Sequence, residues 1–521
     1  MRSSREARGE TRGGDLPRWV ITFDAEGGDG DGKQGARIAE EAHAAGVRDL
    51  LVIAHTGHND ADTAAGTDDR FHALFATEAA GPAESAETVG SAESAESADW
   101  SRTGLGFVSV HWPGMRCPPE PRLTDTTEAA LNRTFPGAER LVGELRALLD
   151  ERPVRYGAVD DVGMMLRRLV EAPLQSDVNS YATDMSNALL PQSDPAMLFD
   201  SAVQVCEGFA HALEQAGEEA EREAQRPERI EQPSTGAEAP AVSKSGTLAE
   251  SETAGPRPAD APAAWLSRPE PLGPRIHPFG VTEVGEDPDR LWDGAHQFLC
   301  QAVSYAIRRR AALIGERGLA PALGRIAEAL PDTRVHLVGH GAGARLVAYA
   351  ARGLGGGAHR VGSLTLLQAA FSHFAFTGHL PNQLRGGGGL AEVAHRVAGP
   401  VVCGYSHHDL ELGLLFPLAS RLLGESPPLV GAGRVWGALG YDGAQGVEGC
   451  PTLTLADALA EDALPRSGCV NVDTSAVVRG GAPPLGAHDD VFHRELARLV
   501  FAAGRIPGAG TGEGRGSTGR P

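Results

Sequence analysis

The chain has 521 residues, a formal charge of −22, 41% hydrophobic residues and only 5% aromatics, with 67 glycines and 35 prolines. That length exceeds one ordinary domain, while the glycine, proline and acidic content points to segments outside any packed core. The acidic balance argues against nucleic acid or anionic membrane as a partner, because phosphate binding draws on clustered Lys and Arg.

No apolar run approaches the roughly 18 residues of a membrane helix. Met1-Arg2-Ser3-Ser4-Arg5-Glu6 leads into polar sequence rather than a secretory signal, so a cytoplasmic protein is expected. The six cysteines, Cys117, Cys206, Cys300, Cys403, Cys450 and Cys469, include no Cys-x-x-Cys pair. Reduced thiols are expected, with no disulfide frame, no metal site and no cofactor.

In chain order, residues 1–16 read as a disordered N-terminus. A β-like run at 19–23 and a helical pattern over 33–46 follow. A second strand, Leu50-Leu51-Val52-Ile53-Ala54, ends at His55-Thr56-Gly57-His58-Asn59-Asp60. A helix over 61–76 and a third strand at 106–112 come next, with an Ala/Ser/Glu repeat at 79–99 between them that reads as a disordered insertion. Residues 125–215 carry helical spacing without a convincing strand, as a cap-like helical insertion would. The Glu/Pro/Ala/Ser-rich stretch 216–275 reads as a disordered linker. Helix signals at 291–310 and 318–330 then precede strand candidates at 335–338, 363–367 and 401–405. A last strand near 470–478, a helix from about 490 to 503 and a disordered tail at 506–521 complete the map. Alternating strands and helices predict a mostly parallel α/β sheet covered on both faces.

The most informative stretch is Val335-His336-Leu337-Val338-Gly339-His340-Gly341-Ala342-Gly343-Ala344, an apolar run that passes through glycines into a helix-like segment. This is the pattern of a G-x-S-x-G nucleophile elbow, with Gly341 at the central position where serine would stand. Glycine reaches positive φ without a Cβ penalty but supplies no nucleophile.

With His55-Thr56-Gly57-His58-Asn59-Asp60 and Val110-His111-Trp112-Pro113, these residues resemble the actinobacterial branch of the α/β-hydrolase superfamily, over 17–120 and 285–505. The stretch from Arg310 to Leu319 is similar as well. The resemblance implies an α/β-hydrolase fold. It also implies an oxyanion and substrate-binding set at His55, Thr56 and Ala342, where Thr56 replaces a glycine of the family's His-Gly-Trp-Asn segment. Asp409, closing the strand Val401–Tyr405, takes the acid position, and His488 in Gly486-Ala487-His488-Asp489-Asp490 the base position, in the order nucleophile, acid, histidine. Ser406 sits beside the acid rather than at the elbow.

Gly27-Gly28-Asp29-Gly30-Asp31-Gly32-Lys33 fits G-x-x-x-x-G-K, but Gln34 replaces the Mg²⁺-binding hydroxyl and two aspartates enter the phosphate cradle. The first expectation is therefore a pseudoenzyme that binds a small molecule or a protein partner of unknown identity. A serine-independent ester hydrolase is the alternative, and nucleotide binding through 27–33 a distant third. Gly341→Ser is expected to restore the missing nucleophile.

Overall fold

A computed structural model describes residues 16–57, 60–80, 104–118, 121–155, 157–171, 201–224, 288–354, 361–380, 387–422 and 437–507. Eight strands form one sheet: β1 (Arg18–Thr22), β2 (Asp49–Ala54), β3 (Leu105–His111), β4 (Arg334–His340), β5 (Val361–Leu367), β6 (Pro400–Tyr405), β7 (Thr452–Thr454) and β8 (Gly468–Asp473). Their order is β1-β3-β2-β4-β5-β6-β8-β7, and every pairing is parallel.

A parallel sheet needs cover on both faces, and the composition of β2 shows how it gets it. Leu50 and Val52 join the core that contains Ala39, Leu323 and Leu346, from the helices Gln34–Ala44, Ala320–Ala329 and Ala342–Gly353. Leu51 and Ile53 point the other way, into a core with Phe71 and Phe75 from Ala61–Ala80 and Leu499 and Phe501 from Arg494–Gly504. The strand's two-residue alternation thus feeds two apolar layers, which is why β2 is buried at every position. At the sheet's amino edge, buried His336 bridges Asp49 at 3.0 Å and Ser363 at 2.9 Å, tying β2, β4 and β5.

The long helix Pro288–Ile314 lies over the first core, packed against Ala202–Ala224. Its buried Arg310 donates to Pro113 O at 3.0 Å and to Thr134 O at 2.6 Å, so one planar fork holds the loop after β3 and the end of helix Asp125–Thr134. None of the described helices is long and apolar enough to cross a membrane.

Several expectations need correction. Helix Ala202–Ala224 runs through 216–224, which the sequence suggested as linker. Ala216 is fully buried there, and Glu218 and Arg222 pair at 3.1 Å one turn apart, so strong helix formers outweigh the polar composition. Helix Ala61–Ala80 likewise takes in 79 and 80. The last expected strand stops at Asp473 because Thr474 turns back, its N–H and hydroxyl both donating to Tyr405 O. Residues 1–15, 81–99, 225–275 and 508–521 of the expected disordered segments lie outside the described residues.

The cysteine expectation also fails. Cys117, in the loop after β3, is joined by a disulfide to Cys300 on helix Pro288–Ile314, across 183 residues with Cα atoms 5.2 Å apart. Sequence spacing gives no sign of it, since the fold alone brings the loop onto the helix. Cys206, Cys403, Cys450 and Cys469 are free.

The close approach of the end of β2 to the helix after β4 sets a testable constraint. A Cβ at Gly343 would lie 2.2 Å from Ala54 O, whereas one at Gly217 would meet nothing within 4 Å. Gly343→Ala should therefore cost about 1–3 kcal/mol or more, and helical Gly217→Ala should gain about 0.5–1 kcal/mol. Opposite shifts of the melting temperature are expected; equal shifts would show that the strand–helix approach is not tight.

Candidate functional site

In a parallel sheet all carboxyl ends share one edge, so the residues that follow β2, β4, β6 and β8 must meet there. After β4 the chain turns at Gly341 with φ +56° and ψ −121° and enters helix Ala342–Gly353. That combination strains any residue with a side chain. The turn is pinned by Gly341 N–H to Leu367 O at 3.1 Å and Ala370 N–H to Gly341 O at 3.1 Å. It is a tight strand-to-helix turn with no side chain on it.

After β6, Asp409 is fully buried. One carboxylate oxygen accepts from Leu412 N–H at 3.0 Å and the other lies 2.8 Å from His488 Nδ1. The residue both caps the following helical segment and orients a histidine. His488 is 2% exposed on the short turn Gly486–Asp489. Its Nε2 faces the other way, 3.1 Å from the point where a Cβ at residue 341 would stand. Gly341, Asp409 and His488 therefore converge.

Thr56, after β2, completes the cluster in a way the sequence did not suggest. Its hydroxyl lies 2.1 Å from that same Cβ position, accepts from Ala342 N–H at 3.2 Å and donates to His340 O at 3.3 Å. It is the side chain of this loop's threonine that meets the turn. A serine Cβ at 341 would press on the Thr56 hydroxyl, which must shift before Gly341→Ser could restore a nucleophile.

His55 stands apart from this point. Its Nδ1 lies 2.8 Å from Thr56 O and its Nε2 3.2 Å from Asp68, whose other oxygen bonds His111. Burial would raise the Asp68 carboxyl, but His111 and His55 outweigh it and hold it well below the carboxylate range. Asp60 caps the next helix through Thr63 N–H at 2.7 Å, and His58 and Asn59 lie outside the described residues.

Two supporting residues escaped sequence reading. His340 is buried, with Nε2 donating to the carbonyl of His488 at 2.8 Å; burial first, then the nearby His488 charge, push its pKa down to about 3. It stays neutral and holds the His488 turn. Arg116 pairs with Asp489 beside it. The signal for both was only their adjacency to residues already singled out. Ser406 does not reach the turn: its hydroxyl donates to Val478 O at 2.5 Å and accepts from His408 N–H at 3.1 Å.

The space over the cluster is small. A cavity of about 60 Å³ is lined by Thr56, Ala342, Glu411, His488 and the Cys117–Cys300 pair, room for a few waters. A neighbouring cleft of about 320 Å³ is bounded by Thr56, Arg70, Arg116, His340 and Phe492.

The 27–33 loop is closed on itself. Asp24 accepts from Glu26 and Gly28 N–H at 3.0 and 2.6 Å, Asp31 from Lys33 N–H at 3.0 Å, and Asp29 pairs with Arg325. Carboxylates occupy the amides that a phosphate would need.

Neither a family model, nor a curated protein, nor a solved structure matches the chain.

The buried pair sets a pH dependence. Burial opposes a charge on His488, but the facing Asp409 carboxylate and Glu411 outweigh it and push its pKa up to about 9. Burial also raises the Asp409 carboxyl, against the pull of His488. A raised folded pKa means that the His488 proton stabilises the fold fully below the ordinary 6.5, and that this contribution fades as pH climbs through about 9. Histidine NMR should show one imidazole titrating well above 6.5, moving down in Asp409→Asn, where burial loses its main opponent. An unmoved titration would separate the two residues.

Proposed function

We propose that this chain has an α/β-hydrolase-like fold whose nucleophile position is vacant and plugged, and that it works as a non-catalytic binding protein. The fold part rests on the all-parallel sheet, the strained turn between β4 and its helix, and an acid and a histidine arriving after later strands in that order. The functional part rests on one observation: the Thr56 hydroxyl fills the place of a residue-341 side chain and occupies Ala342 N–H. That amide is the donor such a site would offer to an oxyanion. Nucleophile and oxyanion donor are thus both out of use. A 60 Å³ cavity also falls far short of the roughly 300 Å³ at which small-molecule pockets begin, whereas the adjoining 320 Å³ cleft reaches it. The cleft beside Thr56, Arg70 and Arg116 is our candidate for a small ligand, supported by its volume and its contact with the plugged turn.

Ester hydrolysis by the Thr56 hydroxyl has one observation in its favour, the approach of His488 Nε2 to the same point. Against it stands the same hydroxyl's bond from Ala342 N–H, which leaves a developing oxyanion without that donor. Nucleotide binding at 27–33 has no support from the closed loop.

Fluorophosphonate labelling tests the plug. Gly341→Ser alone should stay unlabelled, while Thr56→Gly with Gly341→Ser should gain labelling at residue 341, lost again on adding His488→Ala, which removes the general base. Labelling of Gly341→Ser as strong as that of the double variant would mean that Thr56 obstructs nothing.

A further inference from the structure

Cys117, His296 and Cys300 bring three ligand atoms within 4.8 Å of one another. We propose that these residues form a zinc-class site in the reduced chain, and that the disulfide is its metal-free, oxidised state. The proposal is independent of whether the turn at Gly341 is catalytic.

Position and chemistry carry it. His296 and Cys300 are one helical turn apart on Pro288–Ile314, so both point to one side of that helix, toward the loop that carries Cys117. Both ring nitrogens of His296 lie 3.8 Å from Cys300 Sγ. A tetrahedral zinc with Zn–S near 2.3 Å and Zn–N near 2.0 Å sets that separation at about 3.5 Å and the two sulfurs at about 3.8 Å. Reduction must open the sulfur pair to that separation. Two thiolates and an imidazole suit a borderline-soft cation rather than Mg²⁺ or Ca²⁺. His296 and Cys300 are 3% and 7% exposed, yet the two cysteines line the cavity that also holds Thr56 and His488. Entry and a fourth, non-protein ligand therefore come from that cavity. Three protein ligands with one open position is the pattern of a zinc that meets solvent or a bound molecule.

Reduction supplies the site. With a phosphine as reductant, the S–S bond breaks, the two electrons come from phosphorus, water gives its oxygen to the phosphine oxide, and its two hydrogens end on the two sulfurs. Zinc then displaces one proton from each thiol. Cys469 with Cys403, 3.7 Å apart and close to Cys450, is the internal competitor for zinc.

The test uses the full chain, reduced with a phosphine, freed of it under anaerobic conditions and titrated with Zn²⁺, alongside the oxidised chain. Expected is about one zinc per reduced chain and none held by the oxidised chain. His296→Ala should weaken binding about tenfold or more. Bound zinc should shield Cys117 and Cys300 of the wild-type chain from alkylation, a readout that needs no variant to fold. Equal zinc in both redox states, no zinc in the reduced chain, or shielding of Cys403 and Cys469 instead would overturn the proposal.

Discussion

A side chain at residue 341 and the hydroxyl of Thr56 compete for one small volume, and in this chain the hydroxyl holds it. Everything around that point is built as if to position a reacting group. The turn keeps φ +56° and ψ −121°, and the imidazole of His488 is aimed at it from a fully buried carboxylate. The two departures, glycine at 341 and threonine at 56, fit each other physically. A Cβ at 341 would stand 2.1 Å from the Thr56 hydroxyl, which in its present place accepts from Ala342 N–H.

The rest of the cluster is held in the same closed manner. Removing one partner of a buried charged pair leaves the other unpaired, at a cost of about 3–5 kcal/mol. Asp409 and His488 are therefore structural necessities to each other whether or not anything reacts. His340 adds to this by tying the His488 carbonyl to β4, and Arg116 by pairing with Asp489. A site can thus keep the look of a catalytic one for reasons of stability, and in the proposed function it does.

The sheet was legible because its central strands are buried on both faces and read as short apolar runs, Leu50 to Ala54 and Val401 to Tyr405 among them. Thr452–Thr454 was not legible: three residues with two threonines carry no period. Gly341, Asp409 and His488 were picked out by the resemblance, which ties such residues to strand ends and to the loop before the last helix. Contacts between distant segments are what a single sequence hides. The Thr56 hydroxyl meets residue 342 across 286 positions and Cys117 meets Cys300 across 183, and neither local spacing nor composition constrains such meetings. Helical residues 216–224 were obscured for another reason: polar composition resembles a linker until a buried Ala216 and a Glu218–Arg222 pair are placed on one helix.

The central claim, that the plugged turn does no chemistry, is most directly met by the wild-type chain and an activated ester at near-stoichiometric concentration. Release of the leaving group and the intact mass of the chain would be followed together. We expect no burst and no added acyl mass. A burst approaching one equivalent, with the acyl group on the peptide that contains Thr56, would contradict it and make that hydroxyl a nucleophile.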